Sequence, residues 1–108
     1  MIFAFATDDR TLLAFSDEAE ATAYAEGVDV EKGVWLFFAH DGCALEAVFT
    51  TPNQNGLFTI RSGSYTLRPN KSPKVPSLLE LLPRVSAVEG KLGSVEDVRQ
   101  FLSDRLSR

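Results

Sequence analysis

His40 and Cys43, the only histidine and the only cysteine in the chain, stand on either side of the pair Asp41-Gly42. Opposed across a two-residue hairpin turn, their Cβ atoms would lie about 4.5–5.5 Å apart, close enough for an imidazole to activate a thiol. Asp41 points to the other face and makes a poor third member. A nucleophilic cysteine also needs a lowered pKa and an oxyanion site, and no residue pattern supplies either. The expectation is that His40 tops a strand at the surface and that Cys43 is a small buried hydrophobe. Metal binding is no better provided for, because one His and one Cys leave the remaining ligands to carboxylates on loops. Asp8-Asp9 and Asp29-Val30-Glu31 lack the ligand spacing of a calcium loop, so they are read as turn and solvated-face residues. Gly90-Lys91-Leu92-Gly93-Ser94 has the wrong order for a phosphate loop, which needs lysine and a hydroxyl residue directly after its last glycine. It is read as a loop and helix cap. No metal and no cofactor is expected.

The elements that position these residues centre on Val34–Ala39 and Cys43–Thr50, two β-prone runs flanking Asp41-Gly42. An Asp-Gly pair between such runs signals a hairpin, since glycine accepts the positive φ of a tight turn. With a two-residue loop, His40 faces Cys43, Phe38 faces Leu45, Leu36 faces Ala47 and Val34 faces Phe49. Trp35 then meets Val48, and Phe37 meets Glu46, on the opposite side. The first run is apolar on both faces and reads as a central strand covered from two sides.

Ile2–Ala6 and Thr11–Phe15 read as a strand, a polar turn and a second short strand. Ser16 is placed as the cap of a helix over Ala19–Ala25, with Asp17, Glu18 and Glu20 at its dipole-favoured start and Gly27 just past its end. Val28–Gly33 is a polar connection. Thr51–Gly56 is a turn-rich loop. Leu57–Arg61 and Ser64–Arg68 pair around Ser62-Gly63, with Phe58 facing Leu67 and Ile60 facing Tyr65. Pro69–Pro76 is a basic, extended linker. Ser77 caps a short helix over Leu78–Leu82, Val85–Val88 is either a strand or a packed connection, and Ser94 opens the clearest helix, with Val95, Val98, Leu102 and Leu106 as its apolar stripe. The expected fold is one α+β domain over residues 1–108: an antiparallel meander of about four strands plus an N-terminal strand or hairpin, packed with two or three helices.

At 108 residues the chain can bury a single core, and its 44% hydrophobic and 24% charged residues are ordinary for a soluble domain. The longest apolar run, Val34–Ala39, is far short of the roughly 20 residues that span a bilayer. Met1–Ala6 lacks a basic start and is followed by Asp8 and Asp9, so it reads as a strand instead of a signal peptide. A single cysteine suits a reducing cytoplasm. Residues 1–50 carry ten acidic groups against two basic ones, a formal −8, while residues 51–108 carry nine basic against five acidic, a formal +4. An acidic half keeps a protein soluble, disfavours nucleic acid and favours a basic partner. No basic residue is interleaved between Val34 and Thr50, so Trp35, Phe37 and the other aromatics are read as core, not as a stacking platform for single strands. Arg68, Lys71 and Lys74 are read as a solvated linker.

In size, acidity and hairpin-centred α+β order, the whole chain resembles the small cytoplasmic immunity proteins that bacteria encode beside antibacterial toxins. The resemblance rests on no motif, so no residue role is carried over. It implies a non-enzymatic, stoichiometric inhibitor that occludes a toxin, with an acidic surface meeting a basic one. On the chain's own charge pattern, the partner-binding residues are Asp17, Glu18, Glu20, Asp29, Glu31 and Asp41. The alternative is an accessory domain binding a small molecule or peptide between the sheet and the Ser94 helix, pairing as a homodimer through an uncovered sheet edge.

Overall fold

Alternation along the N-terminal runs decides the architecture. The computed structural model describes residues 1–55, 60–72 and 74–106. In β1 (Ile2–Ala6), Phe3 and Phe5 join one apolar cluster and Ala4 another. In β2 (Thr11–Phe15), Leu12 and Ala14 join the first and Leu13 and Phe15 the second. Strands apolar on both sides need cover on both faces, and they receive it. On one face lie α1 (Glu18–Tyr24) and α2 (Gly27–Glu31). On the other lie α3 (Leu78–Leu81), a 3₁₀ turn over Leu82–Arg84, and α4 (Val95–Leu106).

The sheet between the two layers has six strands in the order β7-β4-β3-β1-β2-β8, with β3 at Trp35–Phe38, β4 at Ala44–Thr51, β7 at Ser64–Pro69 and β8 at Ala87–Gly90. All neighbours are antiparallel except β2 and β8, which run parallel with Leu13 opposite Glu89. A separate ribbon pairs β5 (Gln54–Asn55) with β6 (Ile60–Arg61). The α+β class, the N-terminal hairpin and the burial of Phe37 and Phe38 on opposite faces of β3 agree with the sequence. The sheet is larger than the expected four-stranded meander, and four α-helices are present among the described residues.

The central hairpin forms, but one residue out of the expected register. Phe37 pairs with Leu45 and Phe38 with Ala44. Ala39 N–H donates to the Cys43 carbonyl, leaving His40, Asp41 and Gly42 as a three-residue loop. Gly42 takes φ +87°, the left-handed residue that such loops use. A slip of one residue exchanges faces: Leu45, Ala47 and Phe49 pack with Trp35 and Phe37 instead of with Leu36 and Phe38. The reason is tertiary. Gly42 lies against Leu78 and Leu102, and its carbonyl accepts the Leu78 N–H at 2.8 Å.

The expected hairpin around Ser62-Gly63 does not form. β7 pairs with β4, placing Tyr65 opposite Phe49 and Leu67 opposite Ala47, while Ile60–Arg61 pairs with Gln54–Asn55. Leu57 and Phe58 lie outside the described residues. Gly27 is not a cap past the end of α1; it begins α2, which then runs into Val28–Gly33, the stretch read as a polar connection. β8 resolves the open choice at Val85–Val88 in favour of a strand that starts two residues later. The short α3 is capped by Ser77, as expected, and Ser94 Oγ accepts the Asp97 N–H at the start of α4. Val98 and Leu102, both fully buried, fill the space between α4 and the sheet.

Candidate functional site

The acidic residues begin with α1. Asp17, in extended conformation, caps the helix by accepting the Glu20 N–H at 2.8 Å, so the cap lies one residue beyond the expected Ser16. Ser16 instead donates its hydroxyl to Glu20 Oε2 at 2.6 Å and fixes that carboxylate. Glu18 Oε1 accepts the Leu67 N–H at 2.9 Å, so this carboxylate closes a backbone donor on edge strand β7.

On α2, Glu31 Oε2 accepts from Asn53 Nδ2 at 2.5 Å. The same amide donates to the Gly27 carbonyl at 3.0 Å, and Asn53 Oδ1 accepts the Gly63 N–H at 2.7 Å. Asn53 thereby staples a five-residue helix, too short to persist alone, to the loop beside β7. Asp29 sits half-buried in the first turn of α2, and its backbone carbonyl receives the Val34 N–H.

Asp41 lies apart from these five, on the β3–β4 turn, whose neighbour Gly42 packs on the opposite helical layer. Its carboxylate accepts the Cys43 N–H at 2.9 Å, and this bond holds its pKa below the usual value. The same carboxylate acts on the thiol, pushing the Cys43 pKa up chiefly through a side-chain hydrogen bond. In the observed register His40 stays in the loop and Ala39, not His40, stands opposite Cys43. Cys43 is exposed, not buried as expected, because the three-residue loop leaves it at the rim of the turn instead of in the sheet. Its thiolate form is disfavoured, which is the reverse of what a nucleophile requires.

Asp8 and Asp9 serve their own turn, Asp9 Oδ1 accepting the Thr11 N–H at 3.0 Å. Among the described residues, no group of three or more His, Cys, Asp or Glu side chains is arranged to hold a metal ion, and no helix is long and apolar enough to cross a membrane.

The acidic residues therefore gather on two consecutive helices, Asp17, Glu18 and Glu20 at the start of α1, Asp29 in the first turn of α2 and Glu31 at its last position. Asp17, Glu18, Glu20, Glu31 and Asp41 all use their carboxylates to hold groups of the chain itself. The residue the sequence did not flag is Tyr24. It is 60% exposed on α1, and its ring is held between Phe15 (centroids 5.5 Å apart) and Trp35 (5.9 Å, edge-to-face). Its one sequence signal is the helical spacing from Ala21 and Ala25, both fully buried, which sets position 24 at the flank of the buried stripe.

Several grooves adjoin this layer, including one of about 250 Å³ between α1 and β7 lined by Ala19, Thr22, Ala23 and Tyr65. A second, of about 400 Å³, runs between α1 and β8 over a floor of Leu13 and Phe15. A third, of about 300 Å³, opens where β3 and β4 part after two paired residues, between Trp35 and Leu36 on one side and Leu45, Ala47 and Phe49 on the other. Compared with known proteins, the chain matches no family model, no curated protein and no solved structure.

Proposed function

We propose that the chain is a non-enzymatic protein-binding module of the immunity type, which occludes a partner with a basic surface through its α1–α2 layer. Tyr24 carries this reading. An aromatic ring that is both exposed and locked between two other rings is a rigid anchor of the kind that dominates interface energetics. It stands on the layer that holds Glu20, Glu26, Asp29 and Glu31, within the half of the chain whose formal charge is −8. That charge favours basic partners and speeds their encounter.

The test is co-purification with the protein encoded beside it, followed by a Tyr24→Ala/Glu26→Gln/Asp29→Asn variant. These positions avoid the carboxylates that brace the fold. The expected result is an equimolar complex weakened by about 100-fold or more in the variant, in line with loss of a central aromatic anchor and two charges. An unchanged complex, or no complex with the wild type, overturns the reading.

The parting of β3 and β4 favours a second reading, an accessory domain whose apolar cleft takes a small molecule or peptide. Its signature would be a ligand whose binding ignores the triple substitution and fails when Ala47 is enlarged.

A further inference from the structure

We propose that the groove between α1 and β8 receives an arginine side chain of the protein partner, an inference that rests on the α1–α2 layer being the binding face. The parallel pairing of β2 with β8 sets Leu13 opposite Glu89, so the Glu89 side chain stands on the same face as Leu13, Phe15 and α1. β8 is an edge strand, and its exposed residues leave this side of the groove open to solvent. The result is a trough of about 400 Å³ with an apolar floor, Tyr24 and Glu20 on one wall and Glu89 and Lys91 on the other.

The two walls ask for a particular cation. Tyr24 offers a fixed ring, and a planar guanidinium stacks on such a ring while presenting donors along its edges. Glu20, whose carboxylate Ser16 tethers, and Glu89 both line the groove as acceptors, and charge-assisted bonds of this kind are the strong ones. A lysine ammonium is a compact, strongly hydrated point charge that gains less from the ring. Lys91 is the unfavourable neighbour. It lines the groove, and its positive charge opposes an incoming cation.

The experiment titrates the intact chain with N-acetyl-arginine methylamide and, separately, with the neutral isostere N-acetyl-citrulline methylamide, following backbone amide shifts by NMR. Saturable shifts confined to Phe15, Tyr24, Glu89 and Gly90 are expected with arginine, with citrulline about tenfold weaker. Glu89→Gln is expected to weaken arginine by about threefold or more, and Lys91→Ala to tighten it by about twofold, both with unchanged amide dispersion elsewhere. Equal binding of citrulline, shifts centred elsewhere, or no saturable shift overturns the proposal. Glu89→Gln in the partner complex separates this failure from failure of the binding face. A complex broken by the Tyr24 triple variant but untouched by Glu89→Gln leaves the face and removes the arginine, whereas arginine binding beside a complex that ignores the triple variant does the reverse.

Discussion

Asp41 decides the chemistry of its neighbour. Its carboxylate is stabilised by the Cys43 N–H, and in turn it stabilises the protonated thiol. Asp41→Asn keeps an oxygen for the Cys43 N–H but removes the charge, so the thiol pKa falls. Alkylation of Cys43 by iodoacetamide should therefore show a pH–rate profile shifted to lower pH in the variant; superimposable profiles would remove Asp41 as the cause. The same pair predicts a pH dependence of stability. A carboxyl whose folded pKa lies below its unfolded value stabilises the fold above the unfolded value, and that contribution is lost as pH falls through the folded one. Urea midpoints of wild type and Asp41→Asn should differ most at neutral pH and converge in acid. His40 adds only a smaller charge effect on Asp41 and does not face the thiol. Its nearness to Cys43 in sequence misleads, because opposition across a turn depends on loop length.

At the scale of elements, stability depends on a few side chains that join distant segments. Asn53 ties Gly27 and Glu31 of α2 to Gly63, with no room for a Cβ at Gly27, where it would meet Asn53 Oδ1 at 2.6 Å. Asn53→Ala removes these hydrogen bonds at a half-buried site, and at roughly 0.5–1.5 kcal/mol each the loss should come to about 2 kcal/mol. A lowered urea midpoint together with faster amide exchange across residues 28–33 would show it; unchanged exchange there would mean that α2 is held by packing alone.

This staple also explains what sequence reading reaches and what it misses. β1, β2, α3 and α4 are legible because caps and periodicity are local. α2 is not, since nothing in Val28–Gly33 favours a helix until Asn53 arrives from 22 or more residues away. The β3–β4 register escapes for a related reason: Asp41-Gly42 suits two- and three-residue loops alike, and the docking of Gly42 onto Leu78 and Leu102 chooses between them. Of the candidate site, the acidic positions are legible as charge. Their employment as caps and braces is not, and Tyr24 carries no signal beyond its helical spacing.

Across the whole molecule, one of the carboxylates that give the N-terminal half its charge, Glu18, also guards the sheet. A six-stranded sheet leaves two edges, β7 and β8, and an open edge invites pairing with another chain. β8 is only four residues long and ends at Gly90 with φ +98°. β7 is longer, and its defences are Arg68, the donorless Pro69 and Glu18, whose carboxylate occupies the Leu67 N–H. Glu18→Ala frees that donor and removes a charge beside it, while the helix keeps its cap at Asp17. The variant should therefore lose little stability, about 1 kcal/mol or less, yet self-associate at concentrations where the wild type does not. Sedimentation velocity across a concentration series reads this directly. A Glu18→Ala chain that sediments as the wild type does at every concentration would mean that β7 is protected by Arg68 and Pro69 alone. Glu18 would then be free to have evolved for the partner, which would return it to the binding face from which its backbone contact now separates it.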